Sequence, residues 1–153
     1  MSEETVCNDS QLSQQSPQTL TELIVIRPDS ETLNRSSLPN FVGISANTVG
    51  AKAIAMYLTI IPPGAIAEPH LHPEHETGIY LLKGRVELRY GEGLSQCQIC
   101  EAGDFIFTPP GIPHQPRNLS ATEPVYVLAA RNDADEVEKV VPYNLEKEKS
   151  VSE

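Results

Sequence analysis

Gly64-Ala-Ile-Ala-Glu-Pro-His70-Leu71-His72-Pro73-Glu74-His75-Glu76 is the stretch on which the reading of this chain turns. A second stretch, Gly103 to Asn118, carries Pro109, Gly111 and His114. His70 and His72 are one residue apart, so on a strand both imidazoles leave the same face, close enough to chelate one ion. An H-x-H pair alone would equally describe two solvent-facing histidines. The frame around it points further, because a carboxylate follows at Glu76 and a third imidazole stands in a separate Gly/Pro-bounded segment. Three imidazoles and a carboxylate are a donor set suited to a divalent transition metal.

Outward from these segments the chain reads as short strands between Gly/Pro turns. Ile54–Ile61 is β-rich and closes at Pro62-Pro63-Gly64, and Ile79–Leu82 breaks at Lys83-Gly84. Arg85–Tyr90 alternates charged and apolar residues, as a half-buried strand does. Leu94–Cys100, Phe105–Thr108, His114–Asn118 and Val125–Ala130 continue the series, and Phe41–Ile44 is a local pairing segment. Leu23–Ile26, ended by Arg27-Pro28, reads as an edge strand, and Asp133–Glu138 as a short helical turn. With no convincing amphipathic helix, the pattern predicts an all-β barrel or sandwich.

The two stretches resemble the two signature motifs of the cupin superfamily. Gly64 precedes His70 by six positions, and Glu76 follows His72 after three residues. Gly103, Pro109, Gly111, His114 and Asn118 match the second motif at every position. The resemblance implies a single jelly-roll β-barrel (a double-stranded β-helix), with motif one at 64–84 and motif two at 103–118. The implied metal ligands are His70, His72, Glu76 and His114, and the implied ion is one of Fe, Mn, Ni, Co or Zn. One departure stands out. The family usually has six residues between the Glu and the closing Gly, and here seven separate Glu76 from Gly84. Counting back from Gly84 puts Thr77 in the usual Glu position, and strand parity then turns Thr77 inward and Glu76 outward. A bulge that absorbs the extra residue and keeps Glu76 as the ligand, His75 as the fourth ligand, and neither of these all remain open.

Charge and composition bound the rest. Of the formal net charge of −10, residues 1–20 carry three acids and no base, and residues 132–153 carry seven acids and three lysines. The expected organisation is a flexible arm over 1–20, the barrel over 21–131 and an acidic tail over 132–153. This acidity repels nucleic acid. No apolar run is long enough to span a bilayer. Met1-Ser2-Glu3-Glu4 lacks the basic start and apolar stretch of a secretory signal, so a cytoplasmic location is expected. Cys97-Gln-Ile-Cys100 places its sulfurs on opposite faces of a strand, and Cys7 sits in the arm, so the cysteines read as thiols.

These readings give two expectations of function. The first is a metal-dependent enzyme (oxygenase, isomerase, decarboxylase or lyase) on a small organic substrate chelated at the ion. The second is a non-catalytic small-ligand-binding or sensing module. The resemblance also implies a homodimer, with Leu23–Ile26 the expected contact. Tyr57, Met56, Phe105 and Phe107 are candidate pocket linings, although ordinary core roles suit each of them.

Overall fold

The computed structural model describes residues 22–29, 31–34, 37–135 and 137–146, so the expected arm over 1–20 and Cys7 lie outside the described residues. Eleven strands follow in order: β1 (Thr32–Leu33), β2 (Pro39–Ile44), β3 (Ala55–Ile61), β4 (His70–Leu71), β5 (Thr77–Lys83), β6 (Arg85–Tyr90), β7 (Gln96–Glu101), β8 (Phe105–Thr108), β9 (His114–Asn118), β10 (Val125–Arg131) and β11 (Val141–Pro142). A short helix, α1 (Ala46–Val49), starts at a Ser45/Thr48 capping box, and a 3-10 turn spans Glu92–Leu94.

The strands form two antiparallel sheets, β1-β2-β3-β10-β5-β8 and β11-β4-β9-β6-β7. Strand alternation sorts the side chains. Along β3, Ala55, Tyr57, Thr59 and Ile61 are buried, and the residues between them are half-buried. Leu81 and Val125 from one sheet meet Val86 and Cys100 from the other, joined by Leu38, Ile61 and Ala67. These residues make one apolar core between the sheets, the arrangement of a jelly roll.

Gly84 joins β5 to β6 at φ +96°, and a Cβ there would lie 2.6 Å from Val125 Cγ2. The turn therefore needs glycine both for its backbone conformation and for the space. Two sequence expectations fail. Leu23–Ile26 is not a strand: Leu23 and Val25 are exposed, and the first strand begins at Thr32. A four-residue apolar run with no facing edge gains too little burial to set the backbone. Asp133–Glu138 forms no helix among its described residues. Asp133 and Asp135 instead accept hydrogen bonds from backbone N–H groups two residues on, which competes with helical pairing.

Candidate metal centre

Each imidazole of the motif pair is placed by strand geometry and fixed by a backbone carbonyl. His70 on β4 pairs directly with His114 on β9, so the two rings stand side by side at 4.5 Å. His72 follows β4 one residue on, and its ring lies 5.0 Å from each of the others. All three are buried, and they form one group whose donor nitrogens lie within 4.8 Å of one another. Nδ1 of His70 is 2.7 Å from the Glu68 carbonyl, and Nδ1 of His114 is 2.9 Å from that of Ile112. A carbonyl only accepts, so both Nδ1 atoms carry the proton and Nε2 keeps its lone pair.

Burial, with the neighbouring His70 ring, pushes His72 and His114 down to about 4. At neutral pH these imidazoles are unprotonated, the form that ligates a cation. The donor set thus fits a divalent transition metal on its own chemistry.

The fourth expected donor is placed elsewhere. Glu76 is exposed, and its backbone N–H donates to Asn132 Oδ1 at 2.9 Å. Glu76 belongs to neither cluster of metal-binding donors among the described residues. Thr77, the next residue, is buried, lines the cavity, and has no hydrogen-bond partner at Oγ1. Between Thr77 and Gly84, β5 carries a one-residue bulge at Leu82, where Val127 faces Leu81 and Tyr126 faces Lys83, and from Thr77 to Tyr80 it runs in register with β8.

A carboxylate does reach the site, but from the carboxyl-terminal segment. Glu138 Oε1 accepts a hydrogen bond from the Tyr57 hydroxyl at 3.1 Å and lies 3.5 Å from His72 Nδ1. With His72 neutral, that second contact is polar rather than an ion pair. The segment is carried there by several attachments. Arg131 Nη2 donates to the Asp135 carbonyl, Ala46 N–H donates to the Ala134 carbonyl, and β11 pairs with β4 alongside His70. The sequence reads 132–153 as an acidic tail, and no local pattern marks Glu138 out from its acidic neighbours.

The three histidines, Thr77, Tyr57 and Glu138 line a cavity of about 110 Å³ whose remaining wall is mostly apolar, including Leu38, Ile61, Leu81, Val86 and Ile106. Glu138 is its one carboxylate among the described residues. Met56, Phe105 and Phe107 do not join Tyr57 there. They lie on the outer face of β3, β10, β5 and β8, with Phe105 85% exposed. Asn118, on the same strand as His114, is buried and donates through Nδ2 to the carbonyls of Ile61, Pro62 and Glu123, so it packs and orients. Arg117 is exposed. Cys97 is exposed and Cys100 buried, and neither is in a disulfide.

Comparison with known proteins agrees with this architecture. The cupin domain family matches residues 57–131. A Klebsiella pneumoniae protein with a double-stranded β-helix domain superposes with a TM-score of 0.59 at 16% identity, over 74% of this chain and 90% of its own. A Lactobacillus farciminis oxalate decarboxylase, solved as a formate complex, gives a TM-score of 0.61 at 20% identity, over 81% of this chain and 36% of its own. A Bacillus subtilis oxalate decarboxylase, which carries Mn(II) centres, gives 0.59 at 21%, over 76% and 30%. This chain thus spans about a third of the length of those decarboxylases. No curated protein matches it in sequence.

Proposed function

We propose that this chain, whose residues 57–131 match the cupin domain family, is a metal-dependent enzyme acting on a small organic acid. The observation that carries the reading is the convergence of three imidazoles, His70, His72 and His114, on the wall of a mostly apolar cavity. They would hold one divalent ion, Fe, Mn, Ni, Co or Zn. Bound there, the ion supplies Lewis acidity toward a substrate oxygen, the chemistry shared by metal-dependent decarboxylases, isomerases, lyases and oxygenases. Glu76 is not needed in this set. Thr77 replaces a carboxylate with a hydroxyl and leaves that side of the ion to solvent or substrate.

The chain's own residues do the rest. The Glu68 and Ile112 carbonyls fix the rings of His70 and His114. Leu81, Val86 and Ile106 exclude water from the inner wall, which strengthens every charge interaction inside. Tyr57 holds the Glu138 carboxylate at the cavity edge. A cavity this small suits a substrate of a few carbon atoms, and the likeness of fold to the decarboxylases makes short carboxylic acids the first class to assay.

The test is elemental analysis of chain purified without chelator or affinity nickel, followed by turnover of short carboxylic acids. At least one ion per chain is expected, and His72→Ala should lose ion and turnover together. Turnover that persists without metal would overturn the metal-dependent reading. The sparse acid–base content of the cavity favours a second reading, a module that binds a small acid without converting it. Tight binding of an acid by the metal-loaded chain, with no product formed, would establish that reading.

A homodimer forms part of the proposal. Its support is the exposed outer sheet face, where Phe105, Phe107 and Tyr80 border a groove of about 350 Å³. Light scattering should give twice the chain mass, and Phe105→Asp should halve it. A monomeric wild type would end this part.

A further inference from the structure

His75 is buried to 2% exposure, yet neither of its ring nitrogens has a hydrogen-bond partner. Leaving a buried polar group unsatisfied costs about 1–3 kcal/mol, and an imidazole so placed implies a ligand. Its nearest acidic neighbour is Glu138, with Oε1 at 3.9 Å from His75 Nε2, too long for a hydrogen bond. The same carboxylate oxygen is 3.5 Å from His72 Nδ1. Two donors each about 2.1 Å from a tetrahedral ion stand roughly 3.4 Å apart. The two imidazole nitrogens thus stand near that spacing from the carboxylate oxygen.

We propose that His72, His75 and Glu138 form a second cation seat beside the three-histidine one. All three donors lie within 4.8 Å of one another, and none but His72 belongs to the first group. His72 Nδ1 faces Glu138 and the Lys139 carbonyl, which leaves Nε2, on the opposite edge of the ring, for His70 and His114. The two seats share one imidazole through its two nitrogens. Filling both at once removes the remaining N–H proton of His72, which passes to solvent. Two imidazole nitrogens and one carboxylate suit Zn(II) or Co(II). Tyr57, donating to Glu138 at 3.1 Å, orients the carboxylate as an outer partner of the ion. The seat is built half from the motif segment and half from the segment beyond β10, so it couples the placement of residues 132–142 to metal.

The proposal is tested by titrating the apo chain with Zn²⁺ alone and counting bound ions by calorimetry and elemental analysis. Two ions per chain are expected in the wild type. His75→Ala should hold one, and Glu138→Gln, a change on a partly exposed segment that spares the core, should weaken one of the two steps at least tenfold. His114→Ala should still bind one ion, and adding His75→Ala to it should abolish that one. A single ion at saturation in the wild type that is lost in His114→Ala and kept in His75→Ala overturns this seat and leaves the three-histidine site standing. A single ion kept in His114→Ala and lost in His75→Ala keeps the seat and removes the other. Two ions retained in His75→Ala also overturn it.

Discussion

The strands that present the three imidazoles and the segment that lies over them are held in different ways. β10 pairs with β3 without interruption from Val125 to Arg131, and with β5 from Tyr126 to Arg131 with one register shift between Tyr126 and Val127. Beyond Arg131, the covering segment pairs with a strand, among its described residues, only through Val141 and Pro142. The rest of it is tied by individual contacts: the Ala134 carbonyl to Ala46, the Asp135 carbonyl to Arg131, Glu138 to Tyr57, and Tyr143 N–H to the Pro69 carbonyl. The ladder places backbone and the covering segment places side chains. The stability of the fold should therefore be lost through the first, and the chemistry of the site tuned through the second.

Changes in the ladder and its core should be the largest. Leu81 is fully buried between the sheets, and Leu81→Ala should cost about 2–5 kcal/mol in urea unfolding. A loss below about 1 kcal/mol would mean that the two sheets are not packed as described. Acid should come next. His72 and His114 have folded pKa values of about 4 against an ordinary 6.5, so the unfolded chain binds more protons between those values. Stability of the apo chain should be fully present above pH 6.5 and fall progressively toward pH 4. The loss should approach about 3 kcal/mol per ring, since each contributes on the order of 1.4 kcal/mol for every pH unit separating its folded and unfolded pKa. Chemical denaturation at several pH values reads this directly, and a flat profile from 7 to 4 would place the rings in solvent.

Asn118→Ala removes donors to the Ile61, Pro62 and Glu123 carbonyls, and should cost about 1–3 kcal/mol in the same assay. On the covering segment the expected effects on stability shrink. Tyr57→Phe deletes only the hydroxyl that holds Glu138, and should cost about 1 kcal/mol while weakening metal uptake. The exposed Lys139–Glu74 pair should matter least, with Lys139→Ala within about 0.5 kcal/mol of wild type. Glu76→Gln, also exposed, should leave ion uptake unchanged. If it abolished uptake, the carboxylate expected from the motif would be the ligand after all, and the contrast between ladder and covering segment would break.

How much could be read in advance follows the same division. β6, β8 and β9 fall on the residues that alternation and Gly/Pro punctuation marked, because period-2 burial is written into each strand locally. His70, His72 and His114 were legible for the same reason, each standing at a fixed spacing from a turn. The count back from Gly84 was legible too, since Thr77 is inward and Glu76 outward. Leu23–Ile26 misled, because β-propensity without a partner edge does not make a strand. Met56 and Phe105 misled as pocket linings, because being apolar does not say which face of a sheet a residue occupies.

The sequence by itself determined the two-sheet fold, the three imidazoles and the glycine turns, since each rests on neighbours a few residues away. Only the tertiary structure decided that Glu138 and Tyr57, which are 81 residues apart, meet at His72, and that His75 is buried without a partner. Such contacts depend on where a segment without internal periodicity comes to rest, and that is set by the packed surface it lands on.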